Sequence, residues 1–543
     1  MKKMKNIFNY KKSIWLVCTL FIFVSCEEFL EDELLSDTSI DFLYNTSDGL
    51  ETAVVGLYTL NREFQSTSFS TEILQTKSDL ALGRAGAESL YSRLFWGVSV
   101  GDFGTRGGYS KYWEQYYKII DRANAIIHGA ENLTDIEEAK KNQIIAEAKA
   151  FRAHSYFTLY RLFNNIFITT EPTTPENAFD RPADKSSEAE IFALLKSDLE
   201  FAVTNLEWTT GEFGRWTQAS ARHLRAKVAV WEKDWPEAVV QTDAVINNGS
   251  YSLEPNTKDV FAGKLSKNEV LFATQTQRET IGGEKATFTS WKFVPQYHLT
   301  PGALKSDQNG GSGAGFIMLN NYLRDLLKED PNDDRDDATY YISYYFFNDA
   351  ATLPQDDPNT PEDESRQVGD TIDTYSQFST DSNENRNFYV RLNPGVLKFR
   401  DEEAEPTERT HFKNVAIYRL AETYLIGAEA HMMNGNTATA LEYINTVRNR
   451  AGAADITIVD QDAILDERAR ELAFEGHRWY TLKRMGVLLE YLEDHMGNHD
   501  YNQRYGSGDP RVLIQSMPFL VNWPIPEAQL ELLGPNYPQN DGY

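Results

Sequence analysis

The sequence lacks the strong motifs of several common enzyme classes. It has no HExxH zinc helix, no CxxC pair, no GxxxxGK[ST] phosphate loop and no GxSxG nucleophile turn. Its nine histidines are scattered and show no ligand-spaced set. It has only two cysteines, Cys18 and Cys26, and a chain of this size needs no disulfide to stabilise its core. The sequence therefore gives no support to these enzyme classes or to a disulfide framework.

The sequence is also poor in basic residues. Lys and Arg number 53 against 81 Asp and Glu, for a formal net charge of −28. A surface this acidic argues against nucleic acid and anionic lipid headgroups as partners, but it leaves neutral ligands such as sugars open. After the N-terminus no apolar run approaches the length of a transmembrane helix. We expect a large globular protein that binds no nucleic acid and does not span a membrane.

Residues 1–25 have the pattern of a bacterial lipoprotein signal peptide. Five lysines precede an apolar run over residues 14–24, which is too short to span a bilayer comfortably. The run ends Phe-Val-Ser-Cys, which resembles a lipobox, and acylation of Cys26 would anchor the chain stably. The alternative is an unacylated secretory signal with a chance cysteine. Residues 26–40 are predicted to form an acidic tether. This tether is either a simple solvated linker or an export signal, because its acidic residues resemble the export tag of Bacteroidetes surface lipoproteins.

Helical periodicity dominates two parts of the chain, about 109–250 and 413–492. Apolar residues recur there every three to four positions, with Pro236 at a helix start and Gly249 at a helix end. The predicted helices are 109–129, 136–163, 188–206, 219–233, 236–248, 413–433, 437–451, 462–474 and 477–491. Short helices joined by tight turns resemble tetratricopeptide packing, although a strict period of about 34 residues is absent. The sequence predicts a mainly α fold whose scaffold is degenerate tetratricopeptide-like hairpins.

Residues 253–412 differ, because they are rich in Gly, Asn, Asp, Pro and Thr. Short strands are predicted at 269–276, 286–293 and 339–347, and one helical stretch is predicted at 316–327. The glycine-rich stretch 310–315 lacks the following Lys-Ser/Thr of a phosphate loop, which favours a plain loop. A long irregular insertion on a helical scaffold is usually functional or disordered. We expect the ligand side of the molecule here.

Two groups of carboxylates could carry chemistry, and each has a plainer explanation. The acidic run 330–337 could hold a structural Ca²⁺, but it lacks the glycine and the last glutamate of an EF-hand, which favours a solvated turn. Glu471 and Glu475 lie four residues apart, whereas glycosidase carboxylates usually face each other from different elements. Arginines flank both, so ion pairs are the better interpretation. We expect no cofactor.

Aromatic residues in loops are the remaining functional signal. Trp96 lies in a glycine-flanked stretch before the first long predicted helix, and Trp291 lies in the insertion with Phe293 and Tyr297 nearby. Aromatic faces supply flat apolar area against which sugar CH groups can stack. The alternative for each is packing in the core.

Four stretches of the chain resemble the SusD/RagB family. They are EAKAFRAHSYFTLYRLF at 147–163, YRLAETYLIGAEAHMMNGNTATALEYINTVRNRAG at 418–452, ERARELAFEGHRWYTLKRMG at 467–486 and the ending WPIPEAQLELLGPNYPQNDGY. One departure is Thr481, where the family commonly has Asp, which puts one local hydrogen bond in doubt. The resemblance covers residues 41–543 as a single SusD-like domain.

The resemblance implies a surface-exposed outer-membrane lipoprotein that is not an enzyme. Such a protein binds oligosaccharides and delivers them to a SusC-like TonB-dependent transporter. Four tetratricopeptide-like hairpins would face the transporter, with the ligand on the opposite, loop-rich side. The candidate ligand contacts are Trp96, Trp291, Phe293, Tyr297, Asp79 and Tyr91. The alternatives are a peptide ligand on the same architecture and a surface glycosidase.

Overall fold

The computed structural model describes most of the chain after residue 39. The described ranges are 40–65, 73–75, 78–83, 109–182, 184–278, 287–353, 366–373, 391–495 and 521–543. The chain divides into two compact units, residues 1–43 and 44–543. Only residues 40–43 of the first unit, at the start of a helix, lie within the described ranges.

The structure is rich in helix and has few, short strands. Its described helices are α1 (Ile40–Asn45), α2 (Ser47–Gln65), α3 (Tyr109–Asn132), α4 (Glu138–Phe163), α5 (Glu188–Asn205), α6 (Gln218–Glu232), α7 (Trp235–Asn248), α8 (Thr257–Val260), α9 (Thr289–Phe293), α10 (Asn321–Lys328), α11 (Leu420–Met433), α12 (Thr437–Arg450), α13 (Gln461–Leu472), α14 (Arg478–Met485), α15 (Leu488–His495) and α16 (Glu527–Leu533). Its described strands are β1 (Ala81–Gly83), β2 (Val270–Thr274), β3 (Ile317–Leu319), β4 (Tyr341–Ile342), β5 (Tyr344–Phe346), β6 (Thr371–Asp373), β7 (Gly395–Val396) and β8 (Val415–Arg419). The mainly α class is confirmed.

The long helices pack against their neighbours in sequence. Helix α3 packs on α4, α4 on α5, α5 on α6 and α6 on α7, and α11 packs on α12. Helix α7 also packs against α11, which joins the two helical parts of the chain. The largest buried apolar cluster draws on both parts, for example through Trp113, Phe151 and Trp479. No helix in the described ranges combines the length and hydropathy needed to cross a bilayer.

Side-chain caps fix where the scaffold helices begin and end. Ser187 and Glu190 form a capping box at α5, in which each side chain accepts the other residue's backbone N–H. Asp234 caps α7 just before Pro236, and Gly249 ends that helix at φ +80°. The start and the end predicted for α7 agree with these caps to within one residue.

The strands form four two-stranded antiparallel sheets, β1–β3, β2–β8, β4–β7 and β5–β6. Strands β2 to β7 lie within the loop-rich region, and side chains of the strands contribute to two further apolar clusters. Strand β8 leads directly into α11, so the β2–β8 pair connects the loop-rich region to the scaffold.

Four predicted elements were wrong in type or extent. The predicted helix 413–433 contains strand β8 before α11, because Val415 and Tyr418 pair with Thr274 and Phe272 of β2 instead of continuing the helical periodicity. The predicted strand 286–293 contains helix α9. The predicted helix 316–327 contains β3 before α10, and the predicted helix 477–491 is broken at Gly486, whose φ is +79°.

Candidate ligand-binding site

Trp291 lies on the outward face of the short helix α9. Thr289, Ser290 and Phe293 of this helix are buried, whereas Trp291 is half-buried. The preceding Phe288 keeps 41% of its surface exposed. Residues three apart in a helical turn are neighbours, and these two ring centroids are 6.1 Å apart. Helix α9 therefore presents two partly exposed aromatic rings side by side.

The glycine-rich stretch 310–315 brings a third ring to Trp291. The Ala314 N–H donates to the Trp291 carbonyl at 2.7 Å, and the Phe316 N–H donates to the Lys292 carbonyl at 2.9 Å. These two bonds hold the end of the stretch against α9. The Phe316 ring consequently meets the Trp291 ring edge-on, with centroids 5.4 Å apart and planes at 80°.

Glycine is required in this stretch because the backbone approaches a neighbouring segment closely. A Cβ atom at Gly313 would lie 2.0 Å from the Pro295 carbonyl oxygen and 2.4 Å from the Val294 carbonyl oxygen. Any larger residue would force the loop away from α9. The stretch is a buried loop that is hydrogen-bonded to the rest of the protein, in agreement with the predicted loop.

A distant segment adds a cation to the same place. Thr287 and His411 exchange two backbone hydrogen bonds, of 2.8 and 2.9 Å, as an isolated antiparallel bridge. This bridge carries the exposed Arg409 to Trp291, and its guanidinium carbon lies 5.3 Å from the ring centroid. That distance is within the range of a cation–π interaction.

We call Phe288, Trp291, Phe316 and Arg409 the aromatic surface. Its rings offer apolar area, and the Arg409 guanidinium offers several N–H donors for hydroxyl oxygens. Only Trp291 was predicted from the sequence. A spacing of three residues could have pointed to Phe288, but Phe316 and Arg409 are brought in by contacts between distant segments that no local pattern signals.

Two other predicted ligand contacts, Phe293 and Tyr297, are instead buried in the core. Phe293 packs against Phe399 and Phe474, and Tyr297 stacks on Tyr345 with its hydroxyl donating to the Gly311 carbonyl. Neither ring has exposed surface for a ligand.

Asp79 is also fully buried. Both of its carboxylate oxygens accept hydrogen bonds from Arg478, the shorter at 2.6 Å. Its charge is therefore satisfied inside the protein, and it has a structural role in place of the predicted ligand contact.

The remaining predicted residues lie outside the described ranges. They are Trp96, Tyr91, the lipidation candidate Cys26 and the acidic stretch 27–37. The aromatic surface is therefore built here from the insertion alone.

Glu471 and Glu475 are part of a buried ion-pair network. Glu471 accepts hydrogen bonds from Arg419 at 3.0 Å and from Arg450 at 2.6 Å. Glu475 accepts from Arg419 and from Lys398, each at 2.7 Å. Both carboxylates are nearly inaccessible. The interpretation of these two residues as ion-pair partners is confirmed.

The acidic run 330–337 is occupied by internal contacts. Asp333 pairs with Arg335 at 2.6 Å, Asp336 pairs with Lys328 at 3.0 Å, and Asp334 accepts from the Thr257 hydroxyl at 2.7 Å. In the described part of the chain, no three His, Cys, Asp or Glu side chains are grouped so as to hold a metal ion. These contacts give no argument for a calcium site in this run.

Two family models match the chain. Residues 268–543 match the model described as the SusD family, and residues 29–219 match the model described as starch-binding and associating with the outer membrane. Together they include the first helical part as far as residue 219, most of the loop-rich region and the whole second helical part.

Individual proteins are similar along the whole chain or part of it. SusD-like protein P25 of Formosa agariphila is 26% identical over 98% of this chain and 97% of its own length. The starch-binding protein SusD of Bacteroides thetaiotaomicron is 32% identical over 24% of this chain and 22% of its own length. The solved structure of a laminarin-binding SusD-like protein superposes with a TM-score of 0.68 at 22% identity, over 92% of this chain and all of that one. That structural likeness concerns the fold.

Proposed function

The chain belongs to the SusD family, and from that premise we propose that it binds oligosaccharides or polysaccharides at the aromatic surface. The observation that carries the proposal is the assembly of Phe288, Trp291, Phe316 and Arg409 from three separate stretches of the loop-rich region. Relatives named for starch and laminarin binding support the same class of ligand.

The chemistry of the aromatic surface suits a neutral sugar. Sugar rings present apolar CH faces and a rim of hydroxyls, which match a ring face and a neighbouring guanidinium. The net charge of −28 disfavours polyanionic ligands. We therefore expect neutral glycans to bind better than sulfated or uronate-rich ones.

The role we propose is non-catalytic. Glycosidases usually need two carboxylates that flank a bound sugar. Glu471 and Glu475, the pair with a suggestive spacing, are buried and occupied by Arg419, Arg450 and Lys398. We expect bound glycan to leave the protein unchanged.

The cellular setting we propose is the outer face of the outer membrane, with the lipid on Cys26 as the anchor. The family description of outer-membrane association supports this setting. A SusC-like TonB-dependent transporter is the proposed partner that receives the glycan.

A matched pair of tryptophan substitutions tests the binding site. Trp291→Ala removes the centre of the aromatic surface, and we expect roughly tenfold weaker glycan binding, equivalent to about 1.4 kcal/mol. Trp208→Ala is the control, because Trp208 is also half-buried and has the Arg222 guanidinium 5.4 Å from its ring centroid. Isothermal titration calorimetry with laminarin and starch oligosaccharides measures both variants against the parent chain.

These measurements show separately whether the location of the binding site is wrong and whether the class of ligand is wrong. Equal glycan affinity in the parent chain and in Trp291→Ala would show that the aromatic surface is not the site. Binding to oligopeptides, with none to any glycan of a broad panel, would show that the ligand class is wrong. Release of shortened glycan by the pure protein would contradict the non-catalytic role.

A further inference from the structure

Helices α3, α4 and α6 and strand β8 line a cavity of about 80 Å³, which we call the basic cavity. Its polar lining includes Tyr116, His154, Arg161, Lys227, His477 and Tyr480. One water needs about 10–15 Å³, whereas pockets for small organic ligands usually exceed about 300 Å³. The basic cavity can therefore hold a small ion with water, but it is too small for a sugar.

Arg161 reaches the basic cavity without a carboxylate partner. The residue is buried, and its guanidinium carbon lies 4.1 Å from the Phe157 ring centroid and 3.9 Å from that of Tyr480. Its Nε donates to the Phe157 carbonyl at 3.1 Å and its Nη2 to the Thr158 hydroxyl at 3.3 Å. In the described ranges Arg161 has no ion-pair partner and its Nη1 has no acceptor. A buried, unpaired guanidinium is costly unless an anion approaches it.

The carboxylate that pairs with Lys227 is already shared. Glu422 binds Lys227 at 2.5 Å and Arg468 at 3.3 Å, and it also contacts His223 and His477 at 3.0 and 3.5 Å. The single negative charge of Glu422 is thus shared by the cations of Lys227 and Arg468, and Arg161 adds a third positive charge. The local sum of buried charge is positive.

Glu475, a carboxylate in the lining of the basic cavity, is also neutralised. Glu475 pairs with Lys398 and with Arg419, each at 2.7 Å. It therefore cannot compensate Arg161.

His154 supplies an independent sign of a missing acceptor. Its Nδ1 lies 2.6 Å from the Tyr418 hydroxyl, while its Nε2 is buried and has no partner among the described residues. Burial first, and then Arg161 and Lys227, lower the pKa of His154 to about 3, so the ring is neutral. When Nδ1 accepts the Tyr418 hydrogen, Nε2 carries a proton that has no acceptor.

The Arg161 charge also acts on two lysines of this region. Burial is the largest cause that lowers the pKa of Lys227 to about 8 and of Lys483 to about 7, and the Arg161 charge lowers both further. An anion beside Arg161 would offset these effects.

We infer that the basic cavity binds a small inorganic anion of halide size, contacted by Arg161 and His154 and attracted by Lys227. Such an ion compensates the unpaired guanidinium and accepts a hydrogen bond from the His154 Nε2–H. It lies where helices from both parts of the scaffold meet strand β8, so it stabilises the core without contacting a glycan. This inference does not depend on the proposed function.

A bromide titration of the full chain tests the inference. The melting temperature is measured in isethionate buffer of constant ionic strength, with bromide, acetate or phosphate exchanged for isethionate in separate arms. We expect bromide to raise the melting temperature by about 1 °C for each tenfold increase above its Kd, because only the folded state holds the ion. A larger response to acetate or phosphate would mean that a carboxylate or phosphate, and no halide, is the ligand, and would overturn the assignment.

Substitutions at two buried arginines locate the effect. Arg161→Met should abolish the bromide dependence, and Arg161→Lys should retain part of it. Arg152→Met is the control, because Arg152 is also buried but forms an ion pair with Asp198 at 2.8 Å. Arg152 is not part of the cavity lining. Arg152→Met should lower the melting temperature and keep the bromide response.

Crystals of the full chain soaked in bromide decide the matter even if Arg161→Met does not fold. An anomalous peak beside the Arg161 guanidinium supports the inference, and its absence at saturating bromide overturns it. A bromide response that survives in Arg161→Met would also overturn it.

Discussion

Single residues explain why so many charges lie inside this protein. Glu471 is fully buried and accepts hydrogen bonds from Arg419, Arg450 and the Tyr340 hydroxyl, while Arg335 lies 3.4 Å away. Burial alone would raise its pKa, but the arginines outweigh burial and hold the pKa below its usual value. The buried Glu471 carboxylate and the buried arginines around it are tolerated in the core only because their opposite charges compensate each other.

Glu471→Gln should therefore destabilise the protein strongly. Removing one carboxylate leaves buried guanidinium groups short of negative charge, and we expect a loss of about 3–5 kcal/mol in the free energy of unfolding. Glu403→Gln is the control, because Glu403 is 70% exposed in its pair with Lys264 and should change stability by less than about 1 kcal/mol. Urea denaturation measures both, and equal losses in the two variants would contradict the argument.

The stability that the Glu471 carboxylate contributes depends on pH. Since the folded pKa of Glu471 lies below the unfolded value, its stabilisation is full above about pH 5 and is lost as pH falls through the folded pKa. The parent chain should lose stability more steeply on acidification than Glu471→Gln.

At the scale of elements, close contacts between helices depend on small residues. Gly427 lies in α11, where a Cβ would be 2.9 Å from Cδ2 of Tyr443 in α12 and 3.2 Å from Oγ1 of Thr242 in α7. Tyr443 cannot retreat freely, because its hydroxyl donates to Asp243 at 2.8 Å. Gly427 therefore sets how closely three helices approach.

Gly427→Ala should weaken this junction although alanine favours helix. We expect a destabilisation of about 1–3 kcal/mol from overpacking. Gly56→Ala in α2 is the matched control, because its Cβ would meet nothing within 4 Å, and it should stabilise the protein by about 0.5–1 kcal/mol. Opposite signs in urea denaturation would support the packing argument, and two stabilising changes would refute it.

The elements also show which parts of the fold a sequence can predict. Helix α7 was predicted closely because its proline, glycine and periodicity agree locally. Strand β8 was missed because its pairing with β2 lies about 145 residues away in the chain and leaves no local trace. The aromatic surface, which is the proposed site, divides in the same way: Trp291 was singled out in the sequence, whereas Arg409 reaches it only through the bridge between Thr287 and His411.

At the scale of the whole molecule, a helical scaffold carries a loop-rich region that is tied to it through β2 and β8. The two regions can differ in how freely their sequences vary, since the scaffold is fixed by a shared core and the aromatic surface by a few backbone bonds. This arrangement suits a family whose members share a fold and bind different ligands.

The chain's two cysteines allow a clean test of anchoring. Cys26→Ala should abolish lipid labelling and move the protein from the membrane fraction to the soluble fraction, because two or more acyl chains are needed for stable anchoring. Cys18→Ala should change neither, because Cys18 lies within the predicted signal segment. Radiolabelled palmitate incorporation and fractionation of cells that make each variant give the measurement. Unchanged labelling in Cys26→Ala would contradict the lipobox interpretation.

The bridge between Thr287 and His411 has a consequence for protein engineering. Because it joins stretches more than 120 residues apart, a graft of the α9 segment alone into a relative would carry the tryptophan but leave the arginine behind. A transplant of ligand preference would need α9, the glycine-rich stretch and the segment around Arg409 to move as one cassette.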